Sequence, residues 1–244
     1  TPGCFAAHQN LFDSDWPYGM ARDADTVVAV IGQTPLMESE EGEAIGSADG
    51  GDRTDIALPE HQLDFLRRMK REGKPLVVIV TGGSAMDLRE VHELADALLL
   101  AWYPGEQGGL AAGDIVWGHV SPSGRLPVTF PASIDDLPPF EDYDMAGHTY
   151  RYATATPMYP FGFGLGYTRF RYGRIQLSGR VVRPGGRLEA QVEVANTGSV
   201  RGDEVVQLYI EDRDAPAPAP RWSLKDMKRV TLGAGRSRVL RFVI

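Results

Sequence analysis

Residues 26–32 read Thr-Val-Val-Ala-Val-Ile-Gly, and this run of apolar side chains decides the fold class of the first part of the chain. Such a run is typical of a strand that is buried on both faces of a parallel sheet. Two more apolar runs follow at Pro75–Val80 and Ala97–Trp102, and helical patterns lie at 59–73 and 110–117. This alternation predicts an α/β fold, with a mostly parallel sheet flanked by helices.

A cluster of carboxylates follows the first apolar run. Residues 37–43 read Met-Glu-Ser-Glu-Glu-Gly-Glu, so four glutamates fall on a loop that leaves the carboxyl end of a predicted strand. Ligands of open α/β sheets bind at that edge. Like charges held close together raise the pKa of some carboxyl groups, and a carboxyl that stays protonated near neutral pH can act as a general acid. A solvated acidic loop is the alternative interpretation.

From residue 172 onward the pattern changes to all-β structure. Leu188–Val194 alternates apolar and polar residues, and Val205–Ile210 is a further strand-like run. Val230–Leu232 and Val239–Ile244 are separated by Gly-Ala-Gly, which predicts a hairpin. Short strands separated by turns are typical of a β-sandwich.

These patterns divide the chain into two predicted domains. Residues 1–171 form the α/β domain, and its last part, residues 132–171, is an ordered connector rich in Pro, Tyr and Gly. The aromatic side chains of this connector need burial. Residues 172–244 form the β-sandwich, which we expect to be truncated.

Charge and cysteine content narrow the class of protein. The net charge of −8 argues against a general nucleic-acid binder, and no apolar run approaches the ~18 residues of a membrane span. Residues 1–172 hold 25 acidic against 12 basic residues, whereas residues 173–244 hold 8 against 13, which fits two domains.

Cys4 is the single cysteine, so no intrachain disulfide forms. No signal peptide is visible and both ends look cut. We therefore expect a piece of a longer polypeptide, and a periplasmic, secreted or cytoplasmic location stays open.

Five segments, taken together, resemble one known family. They are Gly50–Pro59, Ala101–Gly109, Ser121–Pro131, Tyr159–Thr168, and the tail pair Asn196–Gly198 with Gly202–Ile210. In order and spacing they are similar to the C-terminal part of glycoside hydrolase family 3, the β-glucosidase and β-xylosidase type.

The resemblance implies a fold and an activity. The family combines an N-terminal TIM-like barrel, an α/β sandwich and a fibronectin type III-like β-sandwich, so this chain resembles a fragment that lacks the barrel. Family members hydrolyse terminal β-linked glucosyl or xylosyl residues with retention, using an aspartate nucleophile on the barrel and a glutamate acid/base on the α/β sandwich. A carbohydrate substrate and the barrel are therefore the implied partners, no cofactor is implied, and the isolated chain is expected to be inactive.

The family pattern also implies roles for single residues. It puts Glu40 at the acid/base position, with Glu38 and Glu41 as alternatives and Glu43 as a more distant one. Glu38 is more readily interpreted as a ligand of a sugar hydroxyl or as a group that tunes its neighbour.

Four residues near that loop have both a structural and a functional interpretation. Asp52 and Arg53 form either a buried ion pair that pins the loop or a direct sugar contact. Trp102 and Tyr103 end a strand, where they either line a sugar pocket or cap the core.

Other motifs carry weaker signals. Gly82-Gly83 and Gly162–Gly164 lack the residues of a nucleotide-binding loop, and the scattered histidines do not indicate a metal site. Asp15 superficially matches the family's nucleophile motif but precedes the wrong elements, so we expect a surface turn there. A non-catalytic carbohydrate-binding or scaffolding module is the alternative function, although such a module needs no packed carboxylates beside a sheet end.

Overall fold

The computed structural model describes residues 15–38 and 53–244. The helices are α1 (Trp16–Asp23), α2 (Pro35–Glu38), α3 (Glu60–Arg71), α4 (Arg89–Leu94), α5 (Gly108–Val116) and α6 (Thr149–Tyr152), with a 3₁₀ turn at Ile134–Asp136. The strands are β1 (Val27–Gly32), β2 (Leu76–Thr81), β3 (Ala97–Trp102), β4 (Phe170–Tyr172), β5 (Gln176–Leu177), β6 (Glu189–Asn196), β7 (Gly202–Ile210), β8 (Ser223–Leu232) and β9 (Ser237–Val243).

The described residues separate into two compact units. The first comprises the described residues up to Leu110, together with Phe130–Leu137 and Ala155–Tyr159. The second comprises Ala111–Thr129, Pro138–Thr154 and Pro160–Ile244. The predicted domain boundary between residues 171 and 172 stays a prediction. Among the described residues, no helix combines the length and the apolar character that crossing a membrane requires.

A parallel sheet forms the centre of the first unit, as the alternation of apolar runs predicts. The strands lie in the order β1-β2-β3, and both neighbouring pairs are parallel. Helix α3 packs on β1 and on α4, which in turn contacts β3. The carboxyl ends of all three strands therefore meet at one edge of the sheet.

The burial of β1 differs from the expectation. Ala29 and Ile31 are buried, but the alternate residues Val28 and Val30 are 43% and 63% exposed, so the prediction of a strand buried on both faces is wrong for β1. Successive side chains of a strand point to opposite faces, so Val28 and Val30 share the exposed face of β1, whereas Ala29 and Ile31 lie on the buried face. The central strand β2, by contrast, is buried along most of its length.

Helix α3 fixes the carboxyl end of β1 through Gln62. This side chain is 1% exposed, its Oε1 accepts a hydrogen bond from Gly32 N at 2.9 Å, and its Nε2 donates to Gly32 O at 2.8 Å. A Cβ at Gly32 would lie 2.0 Å from the carbonyl oxygen of Thr81, and the φ of Gly32 is 135°, so only glycine fits here.

We expect Gln62→Met to destabilise the protein by about 2–4 kcal/mol. Methionine keeps the length of the side chain but leaves two buried backbone groups of Gly32 unpaired, and each such group costs roughly 1–3 kcal/mol. Urea unfolding monitored by circular dichroism measures the change. Arg71→Met on the exposed end of the same helix is the control and should stay within about 0.5 kcal/mol of wild type. A Gln62→Met value inside that range would contradict the role of this side chain.

The second unit contains a β-sandwich. Strand β6 pairs with β4 and β5 along one side and with β9 along the other, while β7 pairs with β8, all antiparallel. Side chains of the two sheets share one core, formed by Ala190, Val194, Leu240 and Phe242 from β6 and β9 and by Val206, Leu208, Val230 and Leu232 from β7 and β8. The predicted sandwich is thereby confirmed.

The hairpin predicted for the last two strands is wrong. Strands β8 and β9 are consecutive but belong to different sheets, so the turn at Gly233–Gly235 crosses from one sheet to the other. The buried amide of Asn196, at the end of β6, explains the crossing. It donates to Leu232 O at 3.0 Å, and Gly235 N donates to Asn196 O at 3.0 Å. These bonds hold the turn against β6.

The connector only partly meets the expectation that its aromatic side chains are buried. Tyr150 stacks on Phe161 with ring centroids 4.2 Å apart. Phe140 and Tyr143, however, are 78% and 87% exposed, so the expectation is wrong for them. Phe140 lies in a turn closed by a bond from Asp142 N to Pro139 O, and Tyr143 directly follows this turn. The adjacent carboxylates of Glu141, Asp142 and Asp144 are exposed as well, as expected for charged groups, which are costly to bury.

A buried ion pair anchors residues 121–129 within the second unit. Arg125 Nη2 donates to Glu204 Oε2 at 2.6 Å, and the two side chains are only 13% and 10% exposed. The hydroxyl of Tyr172 donates to the other carboxylate oxygen at 2.8 Å. Arg125 is therefore the partner of a buried acid.

We expect Glu204→Gln to lower the free energy of unfolding by about 3–5 kcal/mol, because the variant leaves the charge of Arg125 buried without an anion. The double variant Arg125→Met/Glu204→Leu removes both charges and should recover most of this loss. Glu211→Gln, which breaks an exposed pair with Arg213, is the control, with an expected change below about 1 kcal/mol. A double variant as unstable as Glu204→Gln would contradict this explanation, as measured by guanidinium unfolding.

Candidate functional site

The site lies where the three parallel strands end. After β1 the chain turns into the short helix α2, in which Thr34 O accepts hydrogen bonds from the backbone nitrogens of Met37 at 2.9 Å and Glu38 at 3.2 Å. Pro35 occupies the first helical position, where its missing N–H costs nothing. This turn carries Glu38 to the ends of the neighbouring strands.

The carboxylate of Glu38 accepts hydrogen bonds from four groups, although its side chain is only 8% exposed. Oε2 accepts from the backbone nitrogen of Gly83 at 2.6 Å and from the hydroxyl of Tyr103. Oε1 accepts from the hydroxyl of Ser84 and from Arg53 Nη1, the latter at 3.3 Å. Gly83 and Ser84 follow β2 and Tyr103 follows β3, so Glu38 joins the ends of all three strands.

The environment favours the charged form of Glu38. Burial by itself raises the pKa of this carboxyl, but the hydrogen bonds from Ser84, Tyr103 and Gly83 and the positive charge of Arg53 outweigh burial. The pKa of Glu38 consequently lies below its ordinary value, and the group is a carboxylate at neutral pH.

Arg53 is the cation of this cluster. Its Nη1 also donates to Ser84 Oγ at 2.7 Å, and its side chain is 17% exposed. Burial lowers the pKa of Arg53, while the charges of Glu38 and Asp55 oppose that change, and a guanidinium stays protonated throughout. Nη2 of Arg53 is buried and has no acceptor among the residues that the structure describes.

The end of β3 is irregular and directs Tyr103 toward Glu38. The register with β2 shifts between Val80 and Thr81, and Trp102 adopts a φ of 54°, a left-handed conformation that is rare for a non-glycine residue. A bulge of this kind re-aims the following side chain. Tyr103 is 44% exposed, and burial together with its bond to the Glu38 carboxylate raises the pKa of its hydroxyl.

The structure brings together only some of the residues that the sequence singles out. Glu38, Arg53 and Tyr103 form one contact cluster, whereas Trp102 packs its ring edge-on against the buried Phe130, with centroids 6.1 Å apart. The candidates that lie outside the described residues are Glu40, Glu41, Glu43 and Asp52.

Two members of the cluster, Gly83 and Ser84, were not predicted from the sequence. From the sequence, Gly82-Gly83 is considered only as a possible phosphate-binding loop. Ser84 bonds both Glu38 and Arg53, and Gly83 leaves room for the neighbouring ring, since a Cβ there would lie 2.7 Å from Tyr103 Cε2. The signal that could have found them is their position directly after a buried strand.

Two further features of the sequence have structural counterparts elsewhere. Asp15 precedes α1 with its side chain 94% exposed and accepts a hydrogen bond from Arg68 at 2.8 Å. In the part of the chain that the structure describes, no three His, Cys, Asp or Glu side chains come together as a metal site would require.

Two protein-family models match the chain. Residues 14–167 match the model of the glycosyl hydrolase family 3 C-terminal domain, and residues 204–244 match the fibronectin type III-like domain. The chain belongs to glycoside hydrolase family 3. The order of a parallel-sheet unit followed by an antiparallel sandwich agrees with this membership.

Family 3 relatives resemble the chain over most of its length. It is 40% identical to a xylan 1,4-beta-xylosidase of Xylanibacter ruminicola over 86% of the chain, and 35% identical to a periplasmic beta-glucosidase of Salmonella typhimurium over 92%. Among solved structures, the GH3 beta-glucosidase of Bifidobacterium adolescentis superposes with a TM-score of 0.81 at 28% identity, covering 100% of this chain and 36% of that one. The chain spans only 24% and 30% of the two curated relatives.

The lowered pKa of Glu38 predicts a dependence of stability on pH. The carboxylate stabilises the folded state above the unfolded pKa of about 4.3, and this contribution is lost as the pH falls through the lower folded pKa. We therefore expect Glu38→Gln, which is less stable at pH 7, to lose less stability than wild type on acidification to pH 3. Urea unfolding at several pH values tests this. Parallel losses in both proteins would contradict it.

Proposed function

We propose that this chain is part of a retaining, exo-acting β-glycosidase that hydrolyses terminal β-D-glucosyl or β-D-xylosyl residues. The chain supplies the acid/base side of the site, and an aspartate of a barrel domain outside the chain supplies the nucleophile. The observation that carries the proposal is the family 3 membership together with a carboxylate and a tyrosine at the carboxyl ends of the parallel strands.

Glu40 is the proposed acid/base. Its nearest described rival, Glu38, has both oxygens engaged by four donors and a lowered pKa, which is the opposite of what a proton donor near neutral pH requires. Glu40 lies two positions further along the same acidic stretch, and Glu41 remains the next alternative. Crowded carboxylates raise the pKa of one another, which suits a general acid.

The reaction proceeds by double displacement. The acid/base carboxyl gives its proton to the glycosidic oxygen while the nucleophile attacks the anomeric carbon, so the leaving alcohol departs and a covalent glycosyl-enzyme remains. The resulting carboxylate then takes a proton from water, whose oxygen attacks the anomeric carbon and releases the nucleophile. In retaining enzymes the two carboxyl groups lie about 5–5.5 Å apart, so the placement of Glu40 is decisive.

The sugar preference is proposed only to the level of the two classes. The relatives named above are a xylosidase and a glucosidase, and the difference between 40% and 35% identity is too small to choose between them. Tyr103 is the exposed aromatic residue of the cluster and the proposed part of the sugar-binding wall. Trp102, which precedes Tyr103 in the chain and packs on Phe130, would contribute by holding the end of β3.

The test is hydrolysis of p-nitrophenyl β-D-glucoside and β-D-xyloside by the full-length protein and its Glu40 variants. Glu40→Gln should lose about 10²–10⁴-fold in kcat/KM on a phenyl glycoside with a poor leaving group, since that is the usual contribution of a general acid. The loss on a 2,4-dinitrophenyl glycoside should be far smaller, because this leaving group needs no proton. Azide should restore Glu40→Ala and yield the β-configured glycosyl azide.

Glu93→Gln on the exposed side of α4 is the matched control and should keep wild-type rates. Wild-type rates in both Glu40 variants would reject Glu40 and direct the same test to Glu41. Absence of hydrolysis of either substrate by the wild-type protein would reject the glycosidase in favour of a carbohydrate-binding or scaffolding module.

A further inference from the structure

We propose that Glu38 and Arg53 form a clamp, defined as their ion pair together with Gly83, Ser84 and Tyr103, which holds both ends of segment 39–52. Glu38 is then a positioning residue for the acid/base and not itself the acid. The kinetic part of this inference rests on the proposed function, whereas the structural part does not.

The first argument is the position of the pair in the sequence. Glu38 is the last residue before segment 39–52 and Arg53 is the first after it, so the pair joins two points fifteen positions apart. A contact between the two flanking residues fixes the distance that the segment must span. In general, fixing the distance between two points of a chain lowers the number of conformations open to the residues between them.

The second argument is the attachment of the clamp to the sheet. Ser84 Oγ accepts from Arg53 Nη1 and donates to Glu38 Oε1, so one hydroxyl bridges the two charges. Gly83 donates its backbone N–H to the same carboxylate at 2.6 Å. Both residues lie within three positions of the end of β2, the most buried strand of the sheet. A site held close to such an element is placed more accurately than one held by loops.

The third argument is that the acceptor positions of the Glu38 carboxylate are already taken by hydrogen-bond donors. An ionised carboxylate offers about four acceptor positions, and here Oε1 and Oε2 each accept from two donors. A sugar hydroxyl could bind Glu38 only by displacing Ser84, Tyr103, Gly83 or Arg53. The expectation that Glu38 contacts substrate is therefore replaced by a role in placing its neighbours.

The fourth argument is electrostatic. Both charges are largely withdrawn from water, with 8% and 17% of the Glu38 and Arg53 side chains exposed. Removing either partner leaves the other buried and uncompensated, whereas removing both does not. The two residues should consequently act as one unit, and the effects of their single substitutions should not add.

Native-state proteolysis of the full-length protein tests the structural part. Segment 39–52 contains Glu40, Glu41 and Glu43 but no lysine or arginine, so a glutamyl endopeptidase has cleavage sites within it whereas trypsin has none. Glu38→Gln and Arg53→Gln should each accelerate cleavage after these residues about tenfold or more, because charged hydrogen bonds are lost from the folded state. Glu90→Gln, which removes an ion-pair partner of Arg67 away from the strand ends, is the matched control and should not change this rate.

Kinetics of the same variants test the positioning role. Glu38→Gln should lower kcat/KM about 10–100-fold on a phenyl β-glycoside but less than about threefold on the 2,4-dinitrophenyl glycoside, since only the first needs a placed acid. The double variant Glu38→Gln/Arg53→Gln should lose no more than the worse single variant. The basic limb of the pH profile should persist in Glu38→Gln, and azide should not rescue Glu38→Ala.

Specific results would overturn the inference. Equal losses on both substrates with unchanged cleavage of the segment would leave Glu38 with no positioning role. Azide rescue of Glu38→Ala, with loss of the basic limb, would make Glu38 the acid. If the wild-type protein hydrolyses neither glycoside, the proposed function fails, and the proteolysis rates alone decide whether the clamp exists.

Discussion

The need to compensate the buried carboxylate of Glu38 is the constraint on which the candidate site depends. A carboxylate that is 8% exposed is tolerated only with near-complete hydrogen bonding, and its donors come from three separate parts of the chain. Arg53, the turn after β2 and Tyr103 after β3 must all lie within bonding distance of one group. The hydrogen bonds that the Glu38 carboxylate requires therefore align the ends of three strands.

The remaining features of the first unit allow this convergence. Gly32 lets β1 approach Thr81 so closely that no side chain would fit, and Gln62 satisfies the backbone of Gly32 from the opposite side. At β3 the bulge and the left-handed Trp102 store strain that is offset by the packing of its ring on Phe130. Strain held at the end of a strand is a common way to aim a functional side chain, here Tyr103.

The sequence predicted the positions of the strands better than it predicted their burial or which strands pair with each other. Apolar runs located β1, β2 and β3, because burial in a parallel sheet demands such runs wherever the strand lies. The same reasoning overestimated the burial of Val28 and Val30, since an apolar run does not show whether both faces of a strand are covered. The sequence also predicted that β8 pairs with β9, which is wrong. A glycine-containing turn between two short strands has the same sequence pattern whether the chain stays in one sheet or crosses to another.

By itself the sequence determined the class of each unit, the family, and the stretch of carboxylates in which the acid/base is sought. These follow from composition and local order, which the chain carries without folding. Only the tertiary structure decided that Glu38 pairs with Arg53 and that Ser84 bridges them, fifteen and more than thirty positions apart. The physical reason is that a carboxylate's pKa and function are set by the donors that surround it, and those donors assemble only when the strands align.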